Sequence, residues 1–202
     1  MIAPVLYAVP GLLLGGICLA MQGPLPGDVA LTRLLQDIFG TTPAWAEMLT
    51  TTAKMPGLWA TLVVASILDG LRSGWRGALA PPLALALAYV VDGVARLLMF
   101  APRPAAELVA VAAPSASSGL PSTFGLVYGA LFGAVLCVRP RGRTALGLAA
   151  AMSVLLLAGA SARMVLGGHW GSQVAASLLL GVALAGAAQI LVERWCGHPT
   201  SC

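Results

Sequence analysis

Residues 163–192, RMVLGGHWGSQVAASLLLGVALAGAAQILV, decide the fold. From Trp170 to Val192 the stretch holds no charged residue. A bilayer core takes about 20 such residues in a helix. Just before it stand Arg163 and His169. Polar groups at membrane depth are expensive and point to function. The stretch is therefore a membrane helix with a cation and an imidazole at one mouth.

Working outward, five more apolar windows of similar kind appear. With the last one they run roughly 2–21, 55–71, 78–100, 120–138, 144–166 and 170–192. The expected fold is an all-α integral membrane bundle of six transmembrane helices, forming one domain. The second window is short and implies little tilt or an extension into its flanks. Composition agrees with this assignment. Hydrophobic residues make up 59% of the 202 residues and charged residues 9%, against about 25% charged in soluble domains. Mean hydropathy is +0.92. The 24 glycines suit helices that approach closely in lipid. Cys18, Cys137, Cys196 and Cys202 have no metal-site spacing and read as small apolar residues and a tail thiol. The segment Met1–Met21 lacks a basic leader and reads as a retained helix.

Charge sets the orientation. Arg72, Arg76, Arg139, Arg141, Arg143 and Arg194 fall on one side of the six windows. Arg33, Lys54, Arg96, Arg103 and Arg163 fall on the other. Basic loops stay in the cytoplasm, so both termini are expected there, in a bacterial inner membrane. The second group then faces the periplasm. The formal charge of +4 is a matter of topology and lipid contact, not of nucleic-acid binding.

The first outer loop, Gln22–Lys54, is long. Leu31, Leu34, Leu35, Ile38 and Phe39 follow helical spacing, with Asp28 as a candidate cap. Thr42-Pro43 can open a second turn carrying Trp45, Met48 and Leu49. These segments are expected either in the membrane interface or packed on the bundle.

Three outer-side features carry chemistry. The first is Arg96-x6-Arg103-Pro104 at the end of the third window. Guanidinium forks match phosphate geometry, and Pro102 and Pro104 can bend the chain so that both converge. An intrahelical Asp92–Arg96 pair is the plain alternative. The second is Pro121-Ser122-Thr123-Phe124, which puts hydroxyls and free N–H groups at a helix start. Taken alone, the motif reads better as an ordinary cap. The third is Arg163-x5-His169-x3-Gln173. His169 is a candidate nucleophile, and Gln173, one turn on, a candidate partner for its second ring nitrogen.

In order and spacing these three features resemble the signature of the type 2 phosphatidic acid phosphatase superfamily, the integral-membrane lipid phosphate phosphatases. That signature reads Lys-x6-Arg-Pro, Pro-Ser-Gly-His and Ser-Arg-x5-His-x3-Asp. The resemblance implies that Arg96, Arg103, Ser122, Thr123 and Arg163 bind phosphate. It implies that His169 forms a phosphohistidine, supported by Arg163 and by Gln173 at the orienting position. No cofactor or metal is implied, since three guanidiniums neutralise the phosphoryl group. The partners implied are a membrane lipid substrate and, for a transferase, an acceptor lipid.

The departures sharpen the expectation. Phe124 stands where the family has its acid histidine, and Gln173 replaces the aspartate. Ala162 replaces a serine, and the other histidine, His198, lies beyond the sixth window on the opposite side. General acid catalysis is worth about 10²–10⁴-fold. An alkoxide leaving group needs it, whereas a phosphate leaving group, with a second pKa of about 6, does not. The expected substrate is thus a lipid diphosphate such as a polyprenyl diphosphate, rather than phosphatidate. A phosphotransferase, a non-catalytic headgroup binder and a small carrier or channel are the alternatives. The carrier lacks the internal symmetry expected of it.

Overall fold

The structure is a computed structural model that describes residues 4–137 and 142–196. Arg139, Arg141, His198 and Cys202 lie outside the described residues, as do the ends of the first and fourth windows. Among the described residues all regular structure is helical. The elements are α1 (Val5–Met21), α2 (Asp28–Phe39), α3 (Ala44–Thr51), α4 (Gly57–Ser73), a 3-10 turn (Gly77–Leu79) leading into α5 (Ala80–Leu98), α6 (Thr123–Phe132), α7 (Ala134–Cys137), α8 (Arg143–Val165) and α9 (Gly171–Cys196).

Three continuous helical segments, Gly77–Leu98, Arg143–Val165 and Gly171–Trp195, are long and apolar enough to cross a membrane. α1 and α6 are apolar but shorter. The fourth window does not form one helix. It divides at Gly133 into α6 and α7. There the helix lies so close to α9 that a Cβ would sit 2.6 Å from a Val182 methyl.

α6 is the hub, with Phe124–Phe132 wholly buried. Its glycines at 125, 129 and 133 form one stripe against α9. A Cβ at Gly125 would approach the Val174 carbonyl to 3.0 Å, and one at Gly129 would approach Gly181 Cα to 2.9 Å. This is small-residue packing at helical spacing, the association mode of helices that gain no hydrophobic drive from lipid. The larger side chains turn the other way. Phe124 stacks on Tyr128 at 4.1 Å between centroids, and Phe132 meets Tyr128 edge-on at 5.3 Å. These rings form the main core with Leu58, Leu131, Met152 and Leu156.

The helix α2, in the long loop after α1, is amphipathic in an inverted sense. Asp28, Thr32 and Gln36 of α2 are buried against the protein, while Leu31, Leu34, Ile38 and Phe39 face outward. A helix on a water-soluble domain does the opposite. The inward polar face has specific partners. Gln36 Nε2 donates to the carbonyls of Ala110 (2.8 Å) and Val165 (2.9 Å), and its Oε1 accepts from Ala110 N (3.2 Å). Asp28 was expected to cap α2. The N-cap there is Gly27, without a side-chain bond. Asp28 instead accepts from Ser172 N (2.9 Å) and Ser172 Oγ (2.6 Å) at the start of α9. A carboxylate there also meets the positive end of the helix dipole. α2 thus ties down the two chain ends that flank His169.

Candidate active site

The turn between α8 and α9 places His169. α8 ends at Val165 and Gly167 takes a positive φ of 61°, a backbone state that glycine adopts without penalty. The turn then passes Gly168 into the buried His169 and Trp170. His169 Nδ1 lies 2.8 Å from the carbonyl oxygen of Gly119. A carbonyl only accepts, so Nδ1 carries the hydrogen and the lone pair of neutral imidazole sits on Nε2. Arg103 Nη1 is 3.3 Å from that Nε2. Burial holds the imidazole well below the usual histidine range, and the nearby Arg163 and Arg103 push it the same way. The ring is therefore neutral, with its nucleophilic nitrogen beside a cation.

Gln173 makes no hydrogen bond to His169, contrary to the expectation that it binds the second ring nitrogen. Its Nε2 donates to the Pro102 carbonyl at 2.8 Å, and its Oε1 accepts from Trp170 N at 3.2 Å. The reason is local. The Gly119 carbonyl already occupies Nδ1, and Gly119 packs directly on the Gln173 amide, where a Cβ would sit 2.7 Å away. Gln173 thus clamps the loop that carries both Arg103 and the Gly119 carbonyl.

Arg103 lies in the 99–122 loop. It is pinned by donations to Ser117 O (2.9 Å), Ser117 Oγ (2.9 Å) and Gly168 O (3.0 Å). Burial lowers its pKa, and so does the charge of Arg96. Arg163, on the last turn of α8, is different. Its Nε is buried with no hydrogen-bond partner, and its side chain makes no ion pair among the described residues.

A cavity of 640 Å³ is lined by Arg103, Thr123, Phe124, Arg163, Gly168 and His169. Its other wall comes from α3 and the turn after it, with Glu47, Thr50, Thr51 and Lys54, and from 112–115 of the loop. Four of the residues named from sequence thus share one chamber: Arg103, Thr123, Arg163 and His169.

Arg96 and Ser122 sit outside that lining. Arg96 Nε donates to Asp92 (2.9 Å), and its Nη2 donates to Thr123 Oγ1 (2.7 Å) and Pro121 O (3.2 Å). Thr123 Oγ1 donates in turn to Asp92 at 3.0 Å. Arg96 therefore reaches the chamber through Thr123, within a charge-balanced triad. Ser122 is fully buried as the N-cap of α6. Its hydroxyl accepts from Gly125 N at 3.4 Å, and its own N–H donates to Ser177 Oγ at 2.8 Å.

Phe124 fills the place where a proton donor was sought. It is buried and stacked. Among the described residues no three His, Cys, Asp or Glu side chains cluster to hold a metal. Chemically, the chamber offers a half-buried guanidinium whose Nε is buried without a partner, a second guanidinium and a neutral imidazole nitrogen. That set has the chemistry to bind an anion and to attack its centre. Sequence reasoning missed the Gly119 carbonyl, because every residue has one. It also missed Glu47 and Lys54, whose only signal was a charge left without a role.

A family model described as the PAP2 superfamily matches residues 77–195. No curated protein matches the chain. Among solved structures, the fold is similar to that of the first transmembrane PAP2 type phosphatidylglycerolphosphate phosphatase, from Bacillus subtilis. The TM-score is 0.70 at 18% identity, covering 96% of this chain and 98% of that one. With its apolar helices and a membrane relative over nearly its full length, the chain is an integral membrane protein.

Proposed function

We propose, starting from the fact that this chain belongs to the PAP2 superfamily, that it is a lipid diphosphate phosphatase working through His169. The observation that carries this reading is Arg163. A guanidinium whose Nε is buried without a partner, opening on a 640 Å³ chamber, needs an anion. The imidazole beside it is neutral and aimed by Gly119. A phosphoryl group held by Arg163 and Arg103 meets His169 Nε2. The lone pair forms the P–N bond as the bond from phosphorus to the bridging oxygen breaks. The Gly119 carbonyl stabilises the charge that develops on Nδ1–H. Water then attacks the phosphohistidine, releases inorganic phosphate and restores the imidazole.

The substrate class follows from what is absent. Phe124 offers no proton to a leaving group, which favours one that departs as a stable anion. A lipid monophosphate leaving a diphosphate does so, and a diacylglycerol alkoxide does not. The six-span topology, with both termini cytoplasmic and the chamber outside, is part of the proposal and rests on the arginine distribution. The outward apolar stripe of α2 supports a position in the membrane interface.

The second reading is a non-catalytic headgroup binder. It is favoured by Phe124 and by the absence of a hydrogen bond between Gln173 and His169. Phosphate release from polyprenyl diphosphate and from phosphatidate, with His169→Ala beside the parent protein, separates the readings. Turnover of the diphosphate that vanishes in His169→Ala is expected. Equal turnover of phosphatidate contradicts the leaving-group assignment. Tight binding without turnover, insensitive to His169→Ala, makes the chain a binder.

A further inference from the structure

Once Arg96, Arg103 and Arg163 have partners or roles, two outer-side cations remain. Arg33 donates its Nε to the Leu108 carbonyl at 2.9 Å and holds the loop. Lys54, the one lysine of the chain, lines the His169 chamber and is exposed. Its ammonium makes no hydrogen bond or ion pair among the described residues, not even with Glu47 on the same wall. We infer that Lys54 binds the leaving phosphate of a lipid diphosphate and supplies, as charge, the assistance that the missing acid would supply as a proton.

This inference rests on the proposed phosphatase activity. The attacked phosphoryl group must sit at His169, with Arg163 and Arg103. The second phosphate, joined to the lipid, then lies elsewhere in the chamber. A phosphate monoester carries about −2 at neutral pH, and a diphosphate ester about one unit more. Two guanidiniums balance the monoester, and a third cation balances the diphosphate. The hydroxyls on the Lys54 wall cannot take its place. Thr50 Oγ1 donates to Glu47 O (2.9 Å) and Thr51 Oγ1 to Met48 O (2.6 Å). Thr123 donates to Asp92. Lys54 is the free donor on that side.

Its backbone is held in place. Lys54 N donates to Thr51 O (3.0 Å), and its carbonyl accepts from Leu58 N (2.8 Å). Thr61 Oγ1 donates to Thr52 O at 2.7 Å, and Thr52 Oγ1 bonds Tyr128 Oη. Tyr128 is the ring on which Phe124 stacks. The residue that displaces the acid therefore also buttresses the turn that presents the ammonium.

The test compares Lys54→Ala, Lys54→Arg and the parent protein on polyprenyl diphosphate. Competitive inhibition by inorganic diphosphate and by inorganic phosphate is measured in parallel. Lys54→Ala should lower kcat/KM on the lipid diphosphate about tenfold or more, the size expected for one partly screened charge contact. It should weaken inhibition by diphosphate at least about fivefold more than inhibition by phosphate, and Lys54→Arg should restore most of both. Lys54 is exposed, so an unchanged melting temperature checks that the fold is intact. Equal loss of both inhibitors, or no loss, overturns the inference while leaving the activity standing. A parent protein that does not turn over the diphosphate refutes the proposed function instead.

Discussion

Arg72 and Arg163 both lie in the last turn of a helix, and their surroundings are opposite. Arg72 of α4 has a buried side chain, with Asp69 at 2.9 Å from Nη2 and the Ala134 carbonyl at 3.2 Å from Nη1. Its charge is answered from within the chain. Arg163 of α8 has a buried Nε without a hydrogen-bond partner and makes no ion pair among the described residues. One arginine belongs to the architecture, and the other, on the proposed function, is answered by an anion from outside. Burying a charge without compensation costs several kcal/mol. On the proposed function, an anion bound in the chamber offsets the part of that cost that falls on the Arg163 Nε.

The largest effect that tests this contrast is on stability. Arg72→Ala should destabilise the protein by about 3–5 kcal/mol, because it strands Asp69. The double change Asp69→Ala with Arg72→Ala should recover most of that loss. Thermal unfolding in detergent measures both. Activity per folded molecule should stay at the parent level.

Arg163→Ala should do the reverse. Phosphate release should fall about 10²–10³-fold, with the melting temperature unchanged or raised. A lower melting temperature would make Arg163 architectural like Arg72, and would erase the comparison.

Why the sequence exposed one half of this contrast and hid the other is a matter of which interactions leave a mark in residue type. Apolar windows are a property of composition, and the window at 144–166 corresponds closely to α8. The cluster of Arg96, Arg103 and Arg163 was visible because charge at membrane depth is rare. His169 stood out for the same reason, with Arg103 and Arg163 at the spacing of a known signature. The Gly119 carbonyl could not be seen, since its role depends on where the backbone points. Gln173 was legible as a polar residue one turn from His169, but its bond to Pro102 depends on the folded loop. The i, i+4 spacing that suggested a His169 contact is overruled once Gly119 lies between them. Lys54 comes from a segment far away in sequence, and only the packing of α3 on α8 brings it to the chamber. The inward polar face of α2 was equally hidden, because the periodicity of an amphipathic helix does not say which face meets the protein.

A smaller effect concerns Phe124. Phe124→His returns a titratable ring to the position of the family's acid. Turnover of phosphatidate should rise about tenfold or more relative to the diphosphate, a fraction of what well-placed acid catalysis provides. The lost stacking on Tyr128 should cost about 1 kcal/mol. No gain on phosphatidate would mean that the absent acid does not set the substrate class.

The pH dependence has a definite sign. Protonated His169 cannot attack, so kcat/KM falls as pH drops through the folded pKa. That pKa is depressed by burial and by the two arginines. The acid limb should therefore lie well below histidine's usual value near 6.5, with a plateau across neutral pH. Arg163→Ala should move the limb upward, and a parent limb at or above the usual value would contradict the electrostatics of the chamber.

The smallest effect is that of Gln173→Ala, about threefold to tenfold on kcat, since the Gly119 bond to His169 remains and only its clamp is loosened.

The central claim is that His169 takes the phosphoryl group. The direct measurement is a rapid alkaline quench of the protein mixed with polyprenyl diphosphate labelled at the terminal phosphate, followed by peptide mapping. The account predicts label on His169 within one turnover, none in His169→Ala, and a burst of lipid monophosphate equal to the labelled protein. Phosphate release with no label on His169, or label that persists in His169→Ala, would contradict it.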